Sequence, residues 1–196
     1  MDTIVYRIEN KLYINLTNKC SNNCDFCVRN SHEGVEGYYL WLKKEPTAKE
    51  IITKINEAGS YEEIVFCGFG EPLYKLDVIL EVAAWVKEKG FKTRLNTNGQ
   101  AGLIVGEGVA KKLAGKIDKI NISLNSINSK KYLEICKPVY GEAAYEDLLK
   151  FAKDCVREQI ATDLSVVDII GEEEIKKAKK IAQEVGARLR VREYID

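Results

Sequence analysis

The chain has 196 residues, 45% of them hydrophobic, which is material for one core in one domain. Lysine plus arginine equals aspartate plus glutamate at 30 each, so there is no bulk basic field of the kind that drives unspecific nucleic-acid binding. No run approaches the roughly 18 consecutive apolar residues of a membrane span, and repeats at solenoid periods are absent, so neither a membrane protein nor a repeat array is expected.

Taken in chain order, short β-rich runs alternate with helical patterns, the signature of parallel strands joined by crossover helices. Six strands are predicted: Leu12 to Thr17, Glu63 to Cys67, Lys92 to Thr97, Lys119 to Asn125, Thr162 to Val167 and Ala187 to Arg192. Helices are predicted over Thr47 to Ala58, Leu76 to Lys89, Gly108 to Ala114, Ser129 to Ile135 with Tyr145 to Arg157, and Glu172 to Val185. Thr47 before Glu50 reads as a capping box, and Gly59, Gly90, Gly115 and Gly186 stand where helices end.

The strand patterns carry more than their number. Buried parallel strands read as continuous apolar runs, yet Asn121, Ser123 and Asn125 alternate with Ile120, Ile122 and Leu124. Arg94 and Asn96, Arg188, Arg190 and Arg192, and Asn15 and Thr17 alternate with apolar or β-branched neighbours in the same way. Crossover helices cover the apolar face, so the polar side chains point the other way, into a lumen that is not a filled core. The expected fold is α/β, an open partial (β/α)6 barrel with parallel strands.

Three cysteines follow the first predicted strand in the order C-x3-C-x2-C: Cys20, Cys24 and Cys27. A loop this compact brings three sulfurs to one place, and three thiolates hold a four-iron cluster while leaving one iron without a protein ligand. Zinc is the rival, because His32, the only histidine, follows closely enough to complete a Cys3His set. Zinc motifs, however, usually come as two close ligand pairs with a longer spacer. A plain electron carrier is the other alternative, its fourth ligand coming from Cys67 or another distant residue. With no secretory segment before the cysteines, the thiols are expected reduced and the protein cytoplasmic. Cys67 and Cys155 lie in apolar runs and read as small buried hydrophobes; Cys136, before Lys137-Pro138, is a candidate hydrogen donor.

With Phe26 before the last cysteine, this spacing resembles the radical S-adenosylmethionine (SAM) superfamily, which implies the same partial barrel. After the second strand, Gly70, Glu71 and Pro72 match the family's Gly-Gly-Glu-Pro segment, in which Phe69 replaces the first glycine. The resemblance implies that Cys20, Cys24 and Cys27 hold a 4Fe-4S cluster and that SAM chelates the open iron. Phe26 then lies against the adenine, and Glu71 beside Gly70 takes the SAM ammonium. Asn96-Thr97-Asn98-Gly99, at the end of the third strand, resembles the Thr-Asn-Gly turn of many members; Ser123 and Asn125 fall where the family contacts SAM, and Asp168 is placed to bind a ribose hydroxyl. Arg94 or Arg190 is expected to offset the SAM carboxylate or an anionic substrate, since guanidinium donates paired hydrogen bonds.

The activity so implied is reductive cleavage of SAM by an external one-electron reductant, giving a 5'-deoxyadenosyl radical that abstracts hydrogen from a substrate. Further segments, among them Cys27-Val28-Arg29-Asn30 and Arg190-Val191-Arg192-Glu193-Tyr194, resemble the small radical SAM proteins encoded beside TatD-family nucleases. That company hints at a nucleotide-related or nucleic-acid substrate, with a protein substrate as the alternative. Arg29, Asn30, His32, Tyr38 and Trp41 are the subgroup's candidate substrate contacts, although Trp41, between Leu40 and Leu42, reads more as core. No cysteine follows Cys155, so residues 1–196 are expected to form a single core domain without an auxiliary cluster domain. The sequence leaves the oligomeric state open.

Overall fold

In a computed structural model, which describes residues 2–194, the alternating runs assemble into one seven-stranded sheet. The strands are β1 (Val5–Ile8), β2 (Lys11–Asn15), β5 (Glu63–Cys67), β6 (Lys92–Thr97), β7 (Lys119–Ser123), β8 (Ala161–Val167) and β9 (Arg188–Arg192). They stand in the order β1-β2-β5-β6-β7-β8-β9. From β2 to β9 every pairing is parallel, which gives the six expected strands. The seventh, β1, runs antiparallel to β2 and was not predicted. Its signal was present: Ile8 pairs with Lys11 across a two-residue turn in which Glu9 takes φ 54°. A separate two-stranded hairpin joins β3 (Gly34–Val35) and β4 (Tyr38–Tyr39).

Among the described residues, seven helices connect the strands: α1 (Ala48–Glu57), α2 (Leu76–Glu88), α3 (Ala101–Val105), α4 (Val109–Leu113), α5 (Ser129–Cys136), α6 (Ala143–Arg157) and α7 (Glu172–Val185). The short α3 was not predicted. The capping box at α1 forms as read: the Thr47 hydroxyl accepts from Glu50 N at 3.3 Å, and Glu50 Oε2 accepts from Thr47 N at 2.7 Å. No helix of the described residues is long and apolar enough to cross a membrane.

The core lies between the sheet's apolar face and the helices. Ile14, Ile64, Phe66, Leu95, Ile120, Ile122 and Leu164 are fully buried against Ile79, Val82, Leu148 and Ala178 from the helices. Burial of each such side chain is worth about 2 kcal/mol, so this face holds the sheet together. Cys155 on α6 belongs to this core and is fully buried, as expected. A second, smaller cluster of Tyr6, Leu40 and Phe69 sits apart, with Tyr13 and Trp41 packed on it. Trp41 meets Phe69 edge to face at 5.1 Å, and Tyr6 packs between Tyr13 and Tyr38 at 5.3 and 5.6 Å. Tyr38 and Trp41 therefore help to close one flank of the sheet, a structural use of the candidate contact Tyr38 and the packing role read for Trp41.

Candidate active site

The sheet's polar face lines a cavity of about 760 Å³, within the size range of small-molecule sites. The cysteine loop, which follows β2, closes one end. Cys20, Phe26, Cys24 and Cys27 all line the cavity, together with Gly70, Glu71, Pro72, Arg94, Asn96, Ser123, Asn125 and Arg190. Of the residues predicted to hold the cluster or SAM, only Asp168 is absent from the lining. It is exposed, and its carboxylate accepts a hydrogen bond from the backbone N–H of Tyr194. The expected ribose contact is thus turned toward the end of the chain, because β8 stops at Val167 and a short 3-10 turn carries Asp168 outward.

The loop is held by its own surroundings. Arg29 donates to Asn18 O at 3.1 Å and Asn22 O at 3.4 Å, and Asn30 donates to Cys24 O at 2.9 Å. These two candidate substrate contacts therefore shape the loop. Asn23 N and Asp25 N donate to the carbonyls of Cys136 and Ile135, the last residues of α5, at 2.9 and 3.0 Å. His32 is exposed, hydrogen-bonded to Ser31 and outside the cavity, so it is not gathered with the cysteines. Among the described residues, no three His, Cys, Asp or Glu side chains stand close enough to grip one metal ion.

Burial and the neighbouring Glu71 push the Cys20 thiol up to about 12, and burial raises Cys27 as well. Cys24 is raised further, first by its contact with the Cys136 thiol and then by burial. Cys136 itself is fully buried, accepts from Asn125 Nδ2 at 3.8 Å and does not line the cavity. That placement turns the expected hydrogen donor into a packing residue behind Cys24.

The segment after β5 is stitched to the segment before Cys20. Gly70 N donates to Thr17 O at 2.9 Å, and Glu71 N donates to Lys19 O at 2.8 Å. A Cβ on Gly70 would stand 2.4 Å from both of those carbonyl oxygens, so glycine is required for the close approach of two backbones.

Glu71 has partners other than the expected ammonium. Its carboxylate, 3% exposed, accepts from Thr97 Oγ1 at 2.7 Å, Asn98 N at 2.6 Å and Leu73 N at 3.0 Å. Desolvation outweighs these donors and pushes its pKa up to about 7. Behind it, Asn98 Nδ2 donates to Ser21 Oγ at 2.8 Å, while Gln100 Nε2 reaches Asn22 Oδ1 at 2.6 Å and the Tyr132 hydroxyl at 3.0 Å. The Thr-Asn-Gly turn thus anchors the cysteine loop from behind.

Charges in the cavity divide into paired and unpaired. Arg94 is buried, donates to Glu63 at 3.1 Å and to Asn96 Oδ1 at 3.1 Å, and lies 5.9 Å from the Tyr13 ring centroid. Its charge is already answered by Glu63, so it is not free for a ligand anion as expected. Lys119 and Arg188 both pair with Asp163, at 2.6 and 3.0 Å. Arg190, by contrast, has no ion pair or side-chain hydrogen bond among the described residues. Arg192, absent from the predicted set, donates to Asn125 Oδ1 at 3.2 Å, and its buried Nε has no partner among the described residues. Burial and Arg190 lower its pKa, a sign of crowded positive charge. The alternation of β9 signalled Arg192 as clearly as Arg190.

A smaller, mainly apolar cleft of about 310 Å³ adjoins the cavity and shares Phe26 and Tyr194 with it; Ile135, Ile169 and Ile170, with Asp25 and Lys131, complete its walls. Ile169 and Ile170 were missed because they lie outside the strands whose periodicity marks the lumen.

Comparison with known proteins agrees with this geometry. The family model of the Radical SAM superfamily matches residues 14–182. The chain is 30% identical over 190 residues to the "Probable GTP 3',8-cyclase" of Methanocaldococcus jannaschii, covering 94% of this chain and 58% of that protein. It therefore spans little more than half of that relative's length. In fold it is similar to Streptococcus suis SuiB bound to the precursor peptide SuiA, with TM-score 0.73, 20% identity, and coverage of 97% of this chain and 40% of that one. It is also similar to anSMEcpe with bound AdoMet, with TM-score 0.67, 16% identity, and coverage of 94% and 51%. The partial barrel, the cysteine loop at its mouth and the match over residues 14–182 together place the chain in the radical SAM superfamily, which implies SAM and an iron–sulfur cluster as its cofactors.

Proposed function

We propose that the chain is a radical SAM enzyme in which Cys20, Cys24 and Cys27 hold a 4Fe-4S cluster at the mouth of the barrel. The observation that carries this reading is three thiols lining one end of a polar cavity, on a loop already braced by Arg29, Asn98 and Gln100. The residues present fit such a group. Three thiols lining the same cavity suit a cluster that offers each of them its own iron. When bound, the reduced cluster and SAM supply a 5'-deoxyadenosyl radical that takes hydrogen from carbon.

The rest is the work of the protein. The cleft of Phe26, Ile169, Ile170 and Tyr194 suits a flat, apolar-faced adenine. Ser123, Asn125 and Arg192 line the cavity near the cysteines and suit the polar end of SAM, with Arg192 facing its carboxylate. Glu71 positions this region through Thr97 and Asn98. Arg190, lacking a partner, is left for an acidic group of the substrate. The names of the relatives support either a nucleotide-related substrate, as in the GTP 3',8-cyclases, or a peptide, as in SuiB. The resemblance to the TatD-associated subgroup favours the nucleotide. Six free cysteines suit a reducing, cytoplasmic setting, where an external one-electron donor serves the cluster.

The test is anaerobic reconstitution with iron and sulfide, followed by SAM and dithionite. Wild-type and Cys155→Ala proteins form 5'-deoxyadenosine and methionine, and Cys24→Ala forms none. A colourless protein carrying zinc, or equal loss in both variants, would overturn the assignment.

A further inference from the structure

The thiol of Cys67 was expected to be a buried apolar group. Instead, at the end of β5, it lines the cavity, half-buried. A directed chain of hydrogen bonds runs up to it. Glu63 accepts from Arg94, Arg94 Nη1 donates to Asn96 Oδ1 at 3.1 Å, and Asn96 Nδ2 donates to Cys67 Sγ at 3.5 Å. The direction is fixed by chemistry. Guanidinium has no acceptor, so the amide must turn its oxygen to Arg94 and its NH2 to the sulfur. Cys67 therefore receives a hydrogen bond on this side, and its own S–H is free to point into the lumen.

A second observation points to a ligand beside it. Asn121 on β7 pairs in register with Asn96, lines the same cavity and is only 6% exposed, yet its Oδ1 has no partner among the described residues. A buried amide oxygen without a donor costs about 1–3 kcal/mol, and a ligand N–H or O–H removes that cost. Asn121 and Cys67 stand two strands apart, about 10 Å at ordinary strand spacing, with Asn96 between them. One small molecule can span that distance.

We propose that Cys67 is a catalytic hydrogen-atom donor to a carbon-centred substrate radical, and that the substrate is anchored through an N–H or O–H group on Asn121. The inference rests on the radical reading above. In the step, the S–H bond of Cys67 breaks homolytically and a C–H bond forms on the substrate. The hydrogen carries one proton and one electron, leaving a thiyl radical on Cys67. One electron from the external low-potential reductant and one proton from water restore the thiol. Because an S–H bond is weaker than most C–H bonds, the transfer runs downhill to carbon. The class of reaction is one in which the substrate carbon regains the hydrogen it lost, as in inversion or rearrangement, and not one ending in desaturation.

Thiol hydrogens exchange with water and carbon-bound hydrogens do not, so the donor can be read without knowing the substrate. The cluster-loaded protein is given SAM and dithionite in D2O with no other substrate, and the 5'-deoxyadenosine is weighed by mass spectrometry. Wild type yields product carrying one deuterium, and in Cys67→Ser the labelled fraction of the product falls at least fivefold. Unlabelled wild-type product, or an unchanged labelled fraction in the variant, overturns the role of Cys67 and leaves the radical reading intact. Absence of any deoxyadenosine overturns both. A readout independent of the cluster is iodoacetamide labelling of the reduced, cluster-free protein. Cys67 is modified at least tenfold faster than the fully buried Cys155, and equal protection of the two overturns the proposal.

Discussion

Around the cysteine loop, side chains find their partners elsewhere in the chain: Glu71 takes three donors, Asn98 reaches Ser21, and Gln100 reaches Asn22 and Tyr132. Along β9, at the other end of the sheet, Arg190 is exposed with no ion pair among the described residues, and Arg192 keeps a buried Nε without one. The first region is organised before anything binds. The second carries charge that no described acidic side chain pairs. Preorganisation lowers the cost of holding a cofactor common to every turnover, whereas uncommitted arginines leave selectivity to the molecule that arrives.

The most damaging way to break this contrast is at Gly70. Gly70→Val drives side-chain atoms into Thr17 O and Lys19 O and severs two backbone hydrogen bonds. A loss of at least about 3 kcal/mol is expected in urea unfolding, with iron content falling in parallel. Arg94→Ala comes next. It strips the counter-ion from Glu63, whose side chain is 18% exposed, and should cost about 3 kcal/mol by the same measurement.

Glu71 tests the rim through pH. Its folded-state pKa, about 7, lies above the ordinary 4.5, so between those values the native protein holds one more proton than the unfolded chain. Stability should fall by up to about 3 kcal/mol as pH rises from 4.5 through 7, and Glu71→Gln should flatten that slope while lowering stability overall. Rising stability over this window would mean that the three donors outweigh burial. The smallest effect is expected at Arg190. Arg190→Ala should change stability by less than about 0.5 kcal/mol, since it breaks no described contact. An Arg190→Ala loss as large as that of Arg94→Ala would erase the distinction between the two regions.

Much of the architecture was legible because it is written in local periodicity. Asn121, Ser123 and Asn125 declare a polar face by alternating with isoleucine and leucine, and Thr47 with Glu50 announces a helix start within four residues. The cysteine triplet is local in the same sense. What stayed hidden depends on register between distant strands. Nothing near Arg94 in the sequence says that Glu63, 31 residues earlier, neutralises it, and nothing near Glu71 says that Thr97 and Asn98 fill its carboxylate. Cys67 was misread for a related reason: it ends a buried apolar run, but the parity of the strand turns its sulfur to the lumen while Phe66 faces the helices. Asp168 sits one residue beyond a strand end, where parity no longer decides direction.

The amides of Asn23 and Asp25 complete the last carbonyls of α5, which in most helices fall to a glycine turn or to solvent. Any event that displaces the loop, such as oxidative loss of the cluster we propose it holds, must also fray a helix more than a hundred residues further along the chain. Amide exchange in the closing turn of α5 would then report how full the loop is, giving a probe of metal loading that needs neither colour nor turnover.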